Sequence, residues 1–189
     1  MRLALPSYQT HQVKFSEITY WIFGILFFAN VSCAQVPANR PHVRNPAFDT
    51  KVSQTISFSV PLISVAELKK ELDSVYLFDA REKEEFEVSH IPGANYLGYN
   101  DFDTARLENI PKDAKLALYC SIGYRSEKIG EKLQKLGFTN VQNLYGSIFE
   151  WVNEGNQVVD MDGKPTKRLH TYNKAWSKWV DERKAEKVW

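Results

Sequence analysis

The chain has 189 residues, 43% of them hydrophobic and 25% charged, which is room for one globular domain and some tail. A formal net charge of +1 excludes the strong one-sign field that would direct it to nucleic acid or an anionic membrane surface. Acidic and basic residues are interleaved, as in "ELKKELD" and "REKEEFE", the pattern of solvated faces. His11, His42, His90 and His170 are scattered without metal-ligand spacing, so neither a metal nor a cofactor is expected.

In chain order, the first feature is the apolar run "ITYWIFGILFFANV" (18–31), preceded by Arg2 and Lys14 and followed by Ser32-Cys33-Ala34. It is shorter than the roughly 20 residues that span a bilayer, and small residues follow it where a signal peptidase cuts. Residues 1–34 therefore read as an export signal, with three outcomes open. Cleavage after Ala34 leaves Gln35 first; Cys33 in "NVSC" becomes a lipidated N-terminus that attaches the protein to a membrane; or the segment stays uncleaved as an anchor. Each implies an exported, periplasmic or otherwise extracytoplasmic protein.

Residues 35–57, polar and carrying Pro37, Pro41 and Pro46, read as a linker. "ISFSVPLIS" (56–64) is β-rich, and "SVAELKKEL" (64–72) opens a helix with Ser64 and Glu67 as a capping box. "VYLFDA" (75–80) and "KLALYC" (115–120) are short apolar runs suited to strands buried on both faces. Between them "REKEEFE" (81–87) predicts a short helix, "HIPGANYL" (90–97) a turn into extended chain, and "NDFDTARLEN" (100–109) a helix ended by Pro111. In "RSEKIGEKLQKLGF" (125–138), Ile129, Leu133 and Leu136 recur at helical spacing and Gly137 stops the helix. "NVQNLYG" (140–146) is a third strand and "SIFEWVNEG" (147–155) a helix. Residues 159–189 read as a C-terminal helical extension. Its end, "YNKAWSKWVDERKAEKVW", is predicted amphipathic, with Trp176, Trp179 and Val180 packed back on the domain or left as an exposed aromatic face.

Strands alternating with helices at this spacing predict an α/β domain with a mainly parallel sheet flanked by helices. Ligands in such sheets gather beyond the carboxyl ends of the strands. Asp79 and Cys120 both stand there. If Cys33 leaves with the signal or carries lipid, Cys120 has no cysteine partner and is either inert or used. A thiol reacts as thiolate, and its pKa falls near cations and helix N-termini. The loop Ser121-Ile122-Gly123-Tyr124-Arg125 can turn its backbone N–H groups toward the sulfur, Gly123 supplying a positive φ. Ser126 is the predicted helix cap. Arg125 closes the loop or holds an anion with its planar fork.

"YCSIGYRS" resembles the active-site loop of the rhodanese family, Cys-x-x-Gly-x-Arg-Ser. "DAREKEEFEVSHIPGA" is similar to that family's Asp-x-Arg-x-x-x-Glu-(Phe/Tyr)…His-Ile-Pro-Gly-Ala, and "NVQNLYGSIFEW" to its Leu-x-Gly-Gly-(hydrophobic)-x-x-Trp. The likeness covers roughly residues 58 to 158, with Ser89 and Ser147 standing where the family usually has Gly. It implies a three-layer rhodanese-like domain and sulfur transfer. Cys120 would take a sulfane sulfur from an anionic donor such as thiosulfate and pass it to a thiol or cyanide, with Ser121, Ile122, Gly123, Tyr124, Arg125 and Ser126 forming the binding loop. Four residues separate Cys120 from Arg125. The related cysteine phosphatases use five, so the shorter ring points to sulfur rather than to a tetrahedral oxyanion. The resemblance also implies that Asp79 and Arg81 support the loop from behind, that Arg81 pairs with Glu85, that His90 belongs to a structural turn and that Trp151 is core. Two alternatives from other classes stay open: a persulfide carrier serving one sulfur-accepting partner protein, and a redox sensor that needs a reducing partner.

Overall fold

The computed structural model describes residues 36–189; the export signal, Cys33 and the three outcomes drawn from them lie outside the described residues. A five-stranded sheet, parallel throughout, organises the domain in the order β1-β5-β4-β2-β3. Its strands are β1 (Leu62–Ile63), β2 (Tyr76–Asp79), β3 (Asn95–Tyr96), β4 (Leu116–Tyr119) and β5 (Val141–Leu144). The central strand β4 reads Leu-Ala-Leu-Tyr and is buried at every position, as a strand covered on both faces must be. Its register with β2 sets Asp79 beside Tyr119, so both strands end at the same edge.

Side-chain alternation divides the core in two. Leu77, Ala117 and Tyr119 point to one face, together with Phe48, Leu68, Leu144, Phe149 and Trp151. Phe78, Leu116 and Leu118 point to the other, under Ile129 and Leu133. The first face is covered by α1 (Pro46–Ser53), α2 (Val65–Glu71) and α5 (Ser147–Asn153), and the second by α4 (Tyr124–Lys135). The short α3 (Lys83–Val88) follows β2. The fold is thus three-layered α/β, as expected. The capping box at Ser64 and Glu67 also forms.

Three stretches differ from their sequence reading. The supposed linker carries α1, with Asn45 as its cap and Pro46 at the first helical position, where a missing N–H costs nothing. Phe48 and Val52, one turn apart, are fully buried, and Arg40 pairs with Asp49 and Tyr145. This segment is part of the core. Residues 100–109 wind only one 3-10 turn, Thr104–Leu107.

The C-terminal stretch is not one amphipathic helix. After β6 (Val158–Val159), β7 (Pro165–Thr166) and β8 (Arg168–His170), only α6 (Lys174–Ser177) is helical, and β9 (Glu186–Val188) returns to pair with β8. The helix ends at Ser177, and beyond it the Asp181 carboxylate accepts the Arg183 N–H at 3.0 Å in a local turn. Trp179 stacks on Phe48 with ring centroids 5.6 Å apart, so this tail does pack back on the domain. Among the described residues no helix is long and apolar enough to cross a membrane.

Candidate active site

The site is built where β4 ends. Tyr119 is the last strand residue, Cys120 follows, and α4 starts at Tyr124 with Gly123 as its N-cap. Only four residues, Cys120 to Gly123, turn the chain from strand to helix. Gly123 makes that possible at φ +122°, a conformation that costs a side-chain-bearing residue heavily. The turn points the Gly123 N–H at Cys120 Sγ, 3.1 Å away, and the helix that follows directs its positive end toward the same sulfur. Burial pushes the Cys120 thiol up; the Arg125 charge and the amides of Ser126 and Gly123 more than offset this and hold it below its ordinary value.

The loop is clamped from below. The first amides of α5 donate to it, Ile148 N–H to the Cys120 carbonyl and Phe149 N–H to that of Ser121, both at 3.2 Å. Asn143 Nδ2 donates to the Gly123 carbonyl at 2.9 Å. Ser147, in place of the expected glycine, adopts φ +52°, and its hydroxyl accepts the Cys120 N–H at 3.2 Å while donating to the Leu144 carbonyl at 3.1 Å. Ser126 is not the helix cap. It lies in the first turn, fully buried, and its hydroxyl donates to Asn143 Oδ1 at 2.7 Å.

Arg125 closes the loop. Its Nη1 and Nη2 reach the two Glu85 oxygens at 2.5 and 2.9 Å, and Nη2 also donates to Ser121 Oγ at 3.0 Å. Burial alone would push the Glu85 carboxyl up; its bonds to Arg125 hold it below the usual carboxylate value. The expected Arg81–Glu85 pair is replaced by a different pairing. Fully buried Arg81 wraps around Asp79, with Nε 3.0 Å from both oxygens and Nη2 at 2.7 Å, while Nη2 also holds the Ser89 carbonyl at 2.6 Å. The intervening chain orders this exchange: α3 turns Glu85 toward the Cys120 loop, and the β2 end keeps Asp79 beside Arg81. Asp79 and Arg81 thus join β2 to the "SHIP" turn behind the site, where His90 bridges to Val159. Trp151 is core, 3% exposed.

A cleft of about 360 Å³ opens over Cys120, lined by the predicted Ser121, Ile122, Tyr124 and Arg125. Cys120 lies at its floor, 1% exposed. Glu82, Tyr99, Tyr172 and Trp176 complete much of the wall and were not singled out as site residues from the sequence. Tyr172 and Trp176 come from the C-terminal segment, and Arg125 sits under the Tyr172 ring, 5.1 Å from its centroid. Only the spacing of aromatic residues in that tail hinted at them. Among the described residues no group of three or more His, Cys, Asp or Glu could hold a metal ion.

A family model described as the rhodanese-like domain matches residues 64–154. The chain is 31% identical over 100 residues to a sulfurtransferase of Allochromatium vinosum, covering 53% of this chain and 92% of that one. It is 33% identical over 95 residues to the putative sulfurtransferase YtwF of Bacillus subtilis, covering 49% and 90%. The putative sulfur carrier protein YrkF of Bacillus subtilis is 29% identical over 99 residues, 51% of this chain and 53% of YrkF, so the chain spans about half the length of that relative. In fold it resembles the BH2092 protein of Bacillus halodurans, with a TM-score of 0.51 at 22% identity over 63% of this chain and 89% of that one. On its loop, its sheet and these relatives, the chain belongs to the rhodanese-like family, in which sulfurtransferases and sulfur carriers are found.

Proposed function

We propose that this protein transfers a sulfane sulfur through a persulfide on Cys120. The observation that carries the reading is the Gly123 N–H held 3.1 Å from Cys120 Sγ, in a loop that keeps the thiol below its ordinary pKa. The Cys120 thiolate attacks the outer sulfur of an anionic donor. The donor's S–S bond breaks, its electron pair leaves with sulfite when thiosulfate is the donor, and Cys120 carries Sγ–S⁻. The terminal sulfur keeps a negative charge, which the loop amides and the α4 N-terminus stabilise as they did the thiolate. A thiol or cyanide then takes the outer sulfur and returns the thiolate.

A second reading, a persulfide carrier serving one partner protein, is favoured by Arg125, the one cation among the described residues lining the cleft, being already bonded to Glu85. The apolar run 18–31 with its small following residues supports an extracytoplasmic setting for either. Intact mass of the protein before and after a sulfane-sulfur donor tests the proposal. A gain of about 32 Da, reversed by cyanide and absent in Cys120→Ser, is the covalent step expected of an activated nucleophile. A thiol that stays open to alkylation but gains no sulfur from small donors favours the carrier. Sulfur gained equally by Cys120→Ser would overturn both readings.

A further inference from the structure

The wall of the Cys120 cleft carries little free positive charge, and part of it comes from the C-terminal segment. Among the described residues lining it, Arg125 is the one cation. Both of its terminal nitrogens are bonded to Glu85, and the Glu82 carboxylate, also in the wall, lies 3.8 Å from Nη1. A small dianion descending to Cys120 therefore meets the Glu82 carboxylate and a thiolate, beside a guanidinium that buried Glu85 already neutralises. Like charges at such range oppose entry. Tyr99, Tyr124, Tyr172, Trp176 and Ile122 make most of the rest of the wall, with the neutral polar Thr55, Asn100 and Ser121 between them.

Two of these residues lie outside residues 64–154, the span that matches the family model. Tyr172 is half exposed, with φ +66°, a left-handed conformation that a bulky residue adopts only under constraint. Its N–H donates to His170 Nδ1 at 3.2 Å, and its ring covers Arg125. Trp176 also lines the cleft, with Lys51 Nζ 5.2 Å from its ring centroid. An exposed ring on a constrained backbone and an indole on the same cleft offer flat surfaces for another flat apolar group.

We propose that this cleft selects singly charged sulfane-sulfur donors with an aromatic body over the small dianion thiosulfate, and that Tyr172 and Trp176 determine that choice. The inference rests on the Cys120 persulfide reading and names its substrate class. With an arylthiosulfonate the balance is simple. Cys120 thiolate attacks the terminal sulfur, the bond between that sulfur and the sulfonyl sulfur breaks, and its electron pair leaves with the arylsulfinate. Cys120 keeps one sulfur and one negative charge.

Three donors separate charge from shape: thiosulfate, methanethiosulfonate and benzenethiosulfonate, each offered to the full chain with cyanide as acceptor. The expected order of kcat/KM is benzenethiosulfonate above methanethiosulfonate above thiosulfate. The first two should differ by about tenfold, the size of one good aromatic contact. Tyr172→Ala and Trp176→Ala should each shrink that ratio severalfold, and Tyr172→Phe should restore most of it. Equal rates with the two thiosulfonates, thiosulfate as the best donor, or a ratio that neither alanine variant moves would overturn the specificity while leaving the persulfide reading intact. Failure of all three donors to add sulfur to Cys120, read by intact mass, would overturn the persulfide reading and this inference with it.

Discussion

Arg125 and Glu85 share two hydrogen bonds, 2.5 and 2.9 Å long, with side chains only 12% and 3% exposed. The pair joins the first turn of α4 to α3, so the helix after Cys120 is anchored by a residue 40 positions upstream. It also sets how much positive charge reaches the sulfur. An unpaired guanidinium would stabilise a thiolate more strongly than one already neutralised by a carboxylate.

Arg125→Met should therefore raise the Cys120 pKa. A cation favours the charged form of a thiol, so its loss moves the acid limb of reactivity to higher pH. The rate of iodoacetamide alkylation against pH reads this directly. An acid limb that stays in place would show that the loop amides alone hold the thiolate.

Glu85→Gln acts in the opposite sense on the sulfur. Arg125 keeps its charge and loses its counter-ion, so the alkylation limb should move to lower pH. Removing one partner of a buried pair should also lower stability, by about 3 kcal/mol, visible as an earlier urea midpoint. A midpoint equal to wild type would mean that the pair adds little to the fold.

Gly123→Ala tests the turn. A methyl group there would meet Ile56 Cγ2 at 3.4 Å, an ordinary contact, so the cost comes from the backbone at φ +122° and should be about 1–3 kcal/mol. Because the Gly123 amide must shift, sulfur transfer should fall by more than the loss of folded protein accounts for. Activity per folded molecule, measured well below the unfolding midpoint, checks this.

The Asp49 side chain ties α1 to the segment before it, at Arg40, His42 and the Val43 N–H. Burial would raise its carboxyl, but its bonds to Arg40, to the Val43 N–H and to His42 carry it well below the usual carboxylate range. A depressed pKa contributes stability above the unfolded-state value, about 3.9, and that contribution is lost as the pH falls through the lower folded value. Asp49→Asn should consequently lie far below wild type in urea stability at pH 7, with the gap narrowing below about pH 4. A gap independent of pH would assign the effect to packing instead of charge.

Much of the site could be read from residues 115–126, because an apolar strand, a cysteine, a glycine and a helix in succession leave few ways to fold. The parallel sheet followed from the same alternation. Pairing was harder to read. Arg81 and Glu85 lie four apart, and the likeness put them together, yet the extended end of β2 keeps Arg81 on Asp79 while α3 presents Glu85 to Arg125. Charge partners depend on tertiary position, which spacing does not encode. The segment before residue 58 was obscured by its prolines, although Phe48, Val52 and Ile56 recur every four residues and all are buried. In the C-terminal segment the aromatic spacing was visible but not its path, which is set by β8 and β9 pairing on either side of the short α6.

The stacking of Phe48 on Trp179 has a kinetic corollary. This contact spans most of the described chain, and contacts between distant residues carry a high loop-closure cost and form late. The central strands lie much nearer to one another in sequence and can pair first. Trp176, three residues before Trp179, takes its place in the cleft wall only when that last segment docks. In refolding from urea, far-ultraviolet circular dichroism should recover before turnover of an aromatic donor does, and the lag would report the docking of the tail.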